Sequence, residues 1–313
     1  MPSDPHLVQL SRRLFLTAFA GAARIENWVV DRIAPKLDET FAPKGTVLYR
    51  EGDSPRFVYF MEQGEVLLSR EGAPPIHMIG KWVVGALECG VDLPRTRTAT
   101  TAVDTRFVTA PGELWHELLE DSFEMVRTAF LGTSRGVEGL LSSLTEEQLE
   151  YPGKALPFDL PRGPLDLVER LLVLSNTGLL ATAGMQTLTD LAHTAEEKRL
   201  GHVNELQTEG RDERMHVLLE GTIVARRTGR SATVRVRPGS FIPHALARSK
   251  DWDLESVGTG SSGLRTLAFR PEDLLDEMEE HTDLVRALLG ALWNEREWLL
   301  SNKLAPDGKI VLR

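Results

Sequence analysis

The chain repeats itself once, and this duplication constrains its fold more than any other feature of the sequence. Residues 58–64 are echoed by residues 216–221, and the glycines that close the two segments are about 157 residues apart. Pro111 and Pro271 recur at a similar offset, each ahead of a periodic apolar segment. Because a solenoid repeats every ~20–50 residues, a single long offset predicts two copies of one domain.

Pro and Gly mark the boundary between the two copies. Residues 150–164 are rich in both residue types, which interrupt helices and strands, so this segment is the predicted linker. The predicted domains are therefore residues 1–149 and residues 165–313. A chain of 313 residues is long enough for each domain to bury a core.

Both copies have the same predicted order of helix, β-roll and helix. Closing helices are predicted from Pro111 to about residue 131 and from Pro271 to about residue 302, since Pro favours the first turn of a helix. Short strand-like segments separated by Gly-containing turns are typical of β-rolls. The predicted fold class is mainly β with flanking α, two tandem jelly rolls with helices at both ends of each. The opening helices are predicted at residues 7–38 and 165–194, and the first strands at residues 46–49, 51–53, 57–61 and 64–68.

Composition excludes several classes of protein. The net charge of -10 and the pI of about 5.4 argue against nucleic-acid binding, which needs clustered Lys and Arg. Cys89 is the only cysteine, so no disulfide forms within the chain, and the histidines lack the spacing of a metal site.

No apolar run reaches the ~18 residues of a membrane span. Residues 11–16 resemble a twin-arginine export signal, but the apolar spacing continues as in an amphipathic helix, so a cytoplasmic protein is predicted.

Two segments of the first copy resemble a known family. Residues 41–53, FAPKGTVLYREGD, resemble the opening β-roll signature of cyclic nucleotide-binding domains, and residues 59–66, YFMEQGEV, resemble the next hairpin. The resemblance covers nearly all of residues 10–130 and, more weakly, residues 165–300. It implies the fold of cyclic AMP receptor proteins and of the protein kinase A regulatory subunit, with cyclic AMP or cyclic GMP as a candidate ligand and no cofactor.

The resemblance places a candidate phosphate cassette at residues 83–103. In binding members a Gly-Glu pair opens the cassette, and an arginine follows before a small-Ala-Thr run. One alignment assigns the ribose to Glu88 and the phosphate to Arg97, ahead of Thr98 and Ala99. A second alignment counts from Gly85 and assigns the phosphate to Arg95, with Ala86 where the carboxylate should be. Each alignment preserves only part of the motif, so the expected binding is weak.

The second copy lacks the cassette. Residues 239–248 contain no Gly-Glu pair, Ala247 falls where Glu88 would be, and residues 256–263 contain no arginine. No cyclic nucleotide is therefore expected to bind there.

These observations predict a non-catalytic regulatory protein that acts through contacts with a protein partner of unknown identity. The alternative is a ligand-free scaffold that uses its rolls only for assembly. No catalytic motif is present, and Cys89 has no His or Asn placed to activate it. After the second copy, residues 303–313 are too few for a winged helix-turn-helix, so no direct DNA binding is expected.

The last helix carries a wide apolar stripe. The stripe fits either packing within the chain or the contact of a homodimer. A homodimer is favoured, because the helix is longer than one small domain needs to cover its own roll. The predicted dimer residues are Leu288, Leu292, Trp293 and Leu299.

Overall fold

The structure is a computed structural model. It describes residues 31–32, 34–144, 148–153, 155–178, 180–206, 214–243, 246, 251–258, 263–302 and 310–312. The predicted helix at residues 7–38 lies mostly outside the described residues, as does the segment that resembles an export signal. The chain forms two compact units, one of Met1–Leu131 with Leu300–Arg313 and one of Gly132–Leu299.

The first unit contains a roll of two sheets. The strands are β1 Asp38–Ala42, β2 Val47–Tyr49, β3 Phe57–Gln63, β4 Glu65–Arg70, β5 Ala73–Ile79, β6 Trp82–Val84, β7 Thr98–Thr101, β8 Thr105–Pro111 and β16 Ile310–Leu312. One sheet has the strand order β1-β8-β3-β6 and the other the order β16-β5-β4-β7-β2. All neighbours are antiparallel except β16, which pairs in parallel with β5. A short helix, α1, Ala86–Val91, lies between β6 and β7.

Alternating apolar residues build the core of the first roll. Val58 and Phe60 on β3 are buried, as are Val66 and Leu68 on β4, because successive side chains on a strand point to opposite faces. Gly64 joins the two strands with a φ of 130°, a conformation that other residues rarely adopt. The predicted hairpin is therefore present.

The second unit repeats this topology. Its strands are β9 Gln148–Glu150, β10 Glu196–Leu200, β11 Met215–Glu220, β12 Thr222–Arg227, β13 Thr233–Val236, β14 Trp252–Val257 and β15 Leu264–Phe269. Its sheets have the orders β10-β15-β11 and β14-β12-β13-β9, which match β1-β8-β3 and β7-β4-β5-β16 strand for strand. As with β16, β9 pairs in parallel with its neighbour, β13. Gly221 follows β11 with a positive φ, as Gly64 follows β3.

Each predicted closing helix is two helices. In the first copy these are α2, Gly112–Asp121, and α3, Phe123–Ser142. In the second copy they are α6, Pro271–Glu280, and α7, Thr282–Asn302. The break residues, Ser122 and His281, both have extended backbone, and the carbonyl of each accepts a hydrogen bond from the first turn of the following helix.

The predicted fold class is confirmed: the chain is mainly β, with two tandem rolls and flanking helices. Besides the closing helices, two further details of the prediction were wrong. Residues 51–53 form a turn, because Asp53 accepts a hydrogen bond from Arg50 N at 2.7 Å and Gly52 has a positive φ. Residues 165–194 contain two helices, α4 Leu167–Asn176 and α5 Met185–Thr194.

The compact units do not follow the predicted boundaries. The units divide after Leu131, and residues from the predicted linker at 150–164 belong to the second unit, where the buried Tyr151 packs in the core. Which segment folds on its own stays a prediction, with domains at residues 1–149 and 165–313. None of the helices in the described part of the chain is long and apolar enough to cross a membrane.

Candidate ligand site of the first roll

Arg95 is the centre of the predicted cassette. It precedes β7, its side chain is 2% exposed, and its guanidinium donates to the carbonyls of Gly85 at 2.7 Å and Phe57 at 2.5 Å. The guanidinium also lies 4.2 Å from the ring centroid of Tyr49, within range of a cation–π interaction. Its Nε is buried and has no hydrogen-bond partner among the described residues.

Gly85 and Glu88 complete the surroundings of Arg95. Gly85 caps the N-terminus of α1 with a φ of 76°, and a Cβ at this position would overlap the Arg95 guanidinium. Glu88, on α1, is also buried, and its Oε2 lies 3.7 Å from Arg95 Nη1. The structure therefore brings Gly85, Glu88 and Arg95 together, a combination that neither alignment of the cassette contained.

The rest of the predicted cassette comprises Arg97, Thr98 and Ala99, for which the structure shows other contacts than those of Arg95. Arg97 is buried and donates from Nη1 to the carbonyl of Pro74 on β5 at 3.0 Å. The Thr98 hydroxyl accepts a hydrogen bond from Glu51 N at 3.1 Å, and Ala99 is buried in the sheet. The ribose-and-phosphate roles of Glu88 and Arg97 stay a prediction.

A pocket of about 370 Å³ opens beside Arg95. Such a volume is at the lower end of the range for small-molecule sites. The lining combines aromatic walls with both signs of charge, which suits a compact polar ligand. The residues that line it are Leu48, Tyr49, Asp53, Ser54, Arg56, Phe57, Tyr59 and Arg95.

Three titratable groups near Arg95, namely Tyr49, Tyr59 and Cys89, are held in their neutral forms by burial. Burial raises the pKa of Tyr49 and of Tyr59, and raises the pKa of Cys89 to about 11. The Cys89 thiol donates to the carbonyl of Pro55 at 3.2 Å. At neutral pH this thiol is protonated, and only the thiolate is a strong nucleophile, so its chemistry is that of a core residue.

The second roll has a buried arginine that sequence reasoning missed. Arg265 on β15 is 1% exposed and pairs with Glu197 at 2.8 Å and Glu220 at 2.9 Å. It also donates to the carbonyls of Pro161 and Gly163. These bonds attach the segment around Pro161 to the roll and leave Arg265 with a structural role. Arg265 stands in a strand as many charged residues do, and no motif surrounds it. No sequence signal therefore distinguished it.

One further cluster was not predicted. Asp190 on α5 and Glu277 on α6 flank His281, whose Nε2 lies 3.2 Å from Asp190 Oδ2 and 3.4 Å from Glu277 Oε2. The three ligand atoms lie within 4.8 Å of one another, close enough to hold a metal ion. The contacts of His281 Nε2 with the two carboxylates account for the geometry of the cluster without a metal, and the absence of a metal stays a prediction.

The predicted dimer residues divide into two pairs. Leu288 and Leu299 have no exposed surface within the chain, so they pack in its core. Leu292 and Trp293 are half-buried, and the Trp293 ring lies 4.8 Å from the guanidinium of Arg296. Only the second pair is free to contribute to a contact with another copy, and the homodimer stays a prediction.

No family model matches the chain. Among solved structures, the chain is similar to cAMP-bound PfPKA-R, with 14% identity, 96% of this chain and 92% of that chain covered, and a TM-score of 0.34. It is similar to a mutant regulatory subunit of a cAMP-independent protein kinase A from Trypanosoma brucei, bound to cAMP in the A site, with 10% identity, coverage of 95% and 96%, and a TM-score of 0.34. A cAMP-binding acyltransferase from Mycobacterium smegmatis matches with 23% identity and a TM-score of 0.30, over 37% of each chain. Similarity at this level says nothing of what the chain binds.

Proposed function

We propose that this chain is a non-catalytic regulatory protein whose first roll binds a small phosphate-bearing anion of the cyclic nucleotide class, with low affinity, and which signals through contacts with a protein partner. The observation that carries this proposal is the environment of Arg95. Its Nε is a buried donor without a partner in the described part of the chain, and Arg95 is one of the residues that line the pocket. A buried donor of this kind costs free energy until an acceptor pairs with it.

The low affinity follows from the other bonds of Arg95. Two of its nitrogens already donate to backbone carbonyls, and Glu88 lies 3.7 Å away and balances its charge. An incoming phosphate would gain one free donor rather than the two parallel bonds of a bidentate pair. We therefore expect a dissociation constant above about 1 µM, which corresponds to less than ~8 kcal/mol of binding free energy.

A ligand-free scaffold is the second candidate function, and the same backbone bonds favour it. Because Arg95 ties Gly85 to Phe57, it already acts as an internal brace of the roll. In a scaffold the brace is its whole role, and the rolls serve only as surfaces for assembly. The two candidates differ in whether an anion binds at all.

Calorimetry with cyclic AMP and cyclic GMP separates these candidates. The wild type should bind with a dissociation constant above about 1 µM, and Arg95→Lys should weaken binding by about tenfold or more, because lysine lacks the Nε donor. Arg50→Lys, an exposed arginine outside the pocket, is the matched control and should leave binding unchanged. Circular dichroism verifies that both variants are folded.

Three outcomes would contradict the proposal or its details. Submicromolar binding that is abolished by Arg97→Ala and Glu88→Ala would assign the site to the first alignment. Equal binding by the wild type and Arg95→Lys would remove Arg95 from the site. No heat from either nucleotide would leave the scaffold as the function.

A further inference from the structure

The second unit contains a pocket of about 290 Å³ to which neither alignment nor motif assigns a role. Its walls are largely apolar and include Tyr151, Phe241 and Ala291, while Ser240, Thr177 and Glu295 supply polar groups. This volume is close to the lower end of the range for small-molecule sites, so the pocket suits a small ligand.

Glu295 is the unusual member of this lining. Although it is a carboxylate on the long helix α7, its side chain is 8% exposed. Burial raises its pKa to about 7, and the only hydrogen bond that offsets this shift comes from Tyr151. Among the described residues, no cationic side chain forms an ion pair with Glu295. The neighbouring arginine, Arg296, pairs with Glu297 instead. A buried carboxylate without a counter-charge is costly, and such groups are normally paired.

Ser240 presents a second unsatisfied group to the same pocket. The residue is 2% exposed, and its Oγ has no hydrogen-bond partner in the part of the chain that the structure describes. Gly153, also in the lining, makes room for this hydroxyl, because a Cβ at position 153 would overlap Ser240 Oγ. One cavity is therefore lined by a buried carboxylate without a counter-charge and by a buried hydroxyl without a hydrogen-bond partner among the described residues, which is an arrangement that a ligand would complete.

We propose that this pocket binds a small organic amine in its protonated form. The ammonium group would pair with the Glu295 carboxylate and donate to Ser240 Oγ, and the apolar part would pack against Tyr151 and Phe241. An ammonium supplies what the site lacks, since it carries a positive charge and up to three donors. An anion would face the Glu295 carboxylate, and a neutral alcohol would leave that carboxylate without a counter-charge. The site is independent of Arg95 and of the anion proposed for the first roll.

Benzylamine is a suitable probe, because it is small and combines an ammonium with an aromatic ring. Benzyl alcohol and phenylacetate are its neutral and anionic counterparts. Calorimetric titration of the full chain with each compound, up to about 10 mM, covers ligands with millimolar dissociation constants. The variants are Glu295→Gln, which removes the charge but keeps the shape, and Ser240→Ala, which removes the hydroxyl. Glu279→Gln changes an exposed carboxylate outside the pocket and is the matched control.

We expect benzylamine to bind, and benzyl alcohol and phenylacetate to bind at least about tenfold more weakly. Glu295→Gln should weaken benzylamine binding by about tenfold or more, Ser240→Ala by less, and Glu279→Gln and Arg95→Lys not at all. Binding that is equal in the wild type and Glu295→Gln would overturn the proposal, as would a preference for the alcohol or the acid. The absence of heat with benzylamine in a folded wild type would also overturn it and would leave a water-filled cavity.

Discussion

Arg95 Nη1 lies 3.7 Å from Glu88 Oε2, and both side chains are almost completely buried. Neither charge would be stable in the interior alone, because desolvation costs several kcal/mol per ion. The pair is held in place by the carbonyls of Gly85 and Phe57, which accept from the same guanidinium. The stability of the first roll and the state of its ligand site therefore depend on the same few atoms.

Removing the cation should destabilise the first roll strongly. Arg95→Met leaves Glu88 buried without its partner, so we expect a loss of about 3–5 kcal/mol in the free energy of unfolding. Adding Glu88→Gln should recover ~1 kcal/mol or more of that loss, since the orphaned charge is gone. Urea denaturation measures both values, with the exposed Arg50→Met as control. A loss below about 1 kcal/mol for Arg95→Met would contradict this account of the pair.

Gly85 should tolerate substitution less well than Gly80. Both have positive φ, at 76° and 89°, so Gly→Ala imposes a backbone cost of about 1–2 kcal/mol at either position. Only at Gly85 would the new Cβ overlap Arg95, whereas no atom lies within 4 Å of a Cβ at Gly80. We expect Gly85→Ala to lower the melting temperature clearly more than Gly80→Ala. Equal shifts would mean that Arg95 moves aside at no cost.

Glu295 should make the stability of the second unit depend on pH. Its pKa in the folded protein is raised to about 7 from 4.5, so the folded state binds more protons than the unfolded state between these values. The contribution of Glu295 to the free energy of unfolding is fully present below about pH 4.5 and is lost as the pH rises through about 7. Glu295→Gln removes this loss, so the variant should gain up to ~3 kcal/mol over the wild type at pH 8 and little at pH 4.5. Denaturant titrations at both pH values measure the difference, and Glu279→Gln should show none.

The predicted homodimer can be tested on the two half-buried residues of α7. Replacement of Leu292 and Trp293 by Glu should convert a dimer to soluble monomer in light scattering, because charges are costly in an apolar contact. Val168→Glu changes an exposed apolar residue on α4 and serves as the control. An unchanged mass would remove α7 from the interface. A wild-type protein that is monomeric would remove the dimer itself.

The sequence predicted the elements that depend on local pattern. Gly64 and Gly221 stand at equivalent positions of the two copies and both have a positive φ, and Pro111 and Pro271 stand at the starts of helices. Such signals depend on a residue and its near neighbours, so they survive without knowledge of the tertiary structure.

The features that depend on distant contacts could not be predicted in this way. Ser122 and His281 break their helices without a Pro or Gly to mark the place. Glu295 stands in a polar run, NERE, that is typical of a solvated helix face, and only its packing against Tyr151 shows that it is buried. One of the two alignments of the cassette paired Arg95 with Gly85, as the structure does. The spacing of residues in the sequence could not distinguish this alignment from the other.

The pairing of β16 with β5 has a consequence for the order in which the protein is made. About 230 residues separate the two strands, and at ~5–20 residues per second a ribosome needs roughly ten to fifty seconds to translate them. During that interval the outer edge of β5 has no β16 beside it, and an unpaired edge is a template for association with other chains. The second unit has no such delay, because β9 is synthesised before β13, the strand that it joins. On the ribosome, the roll that begins first is the last to gain its full set of strands.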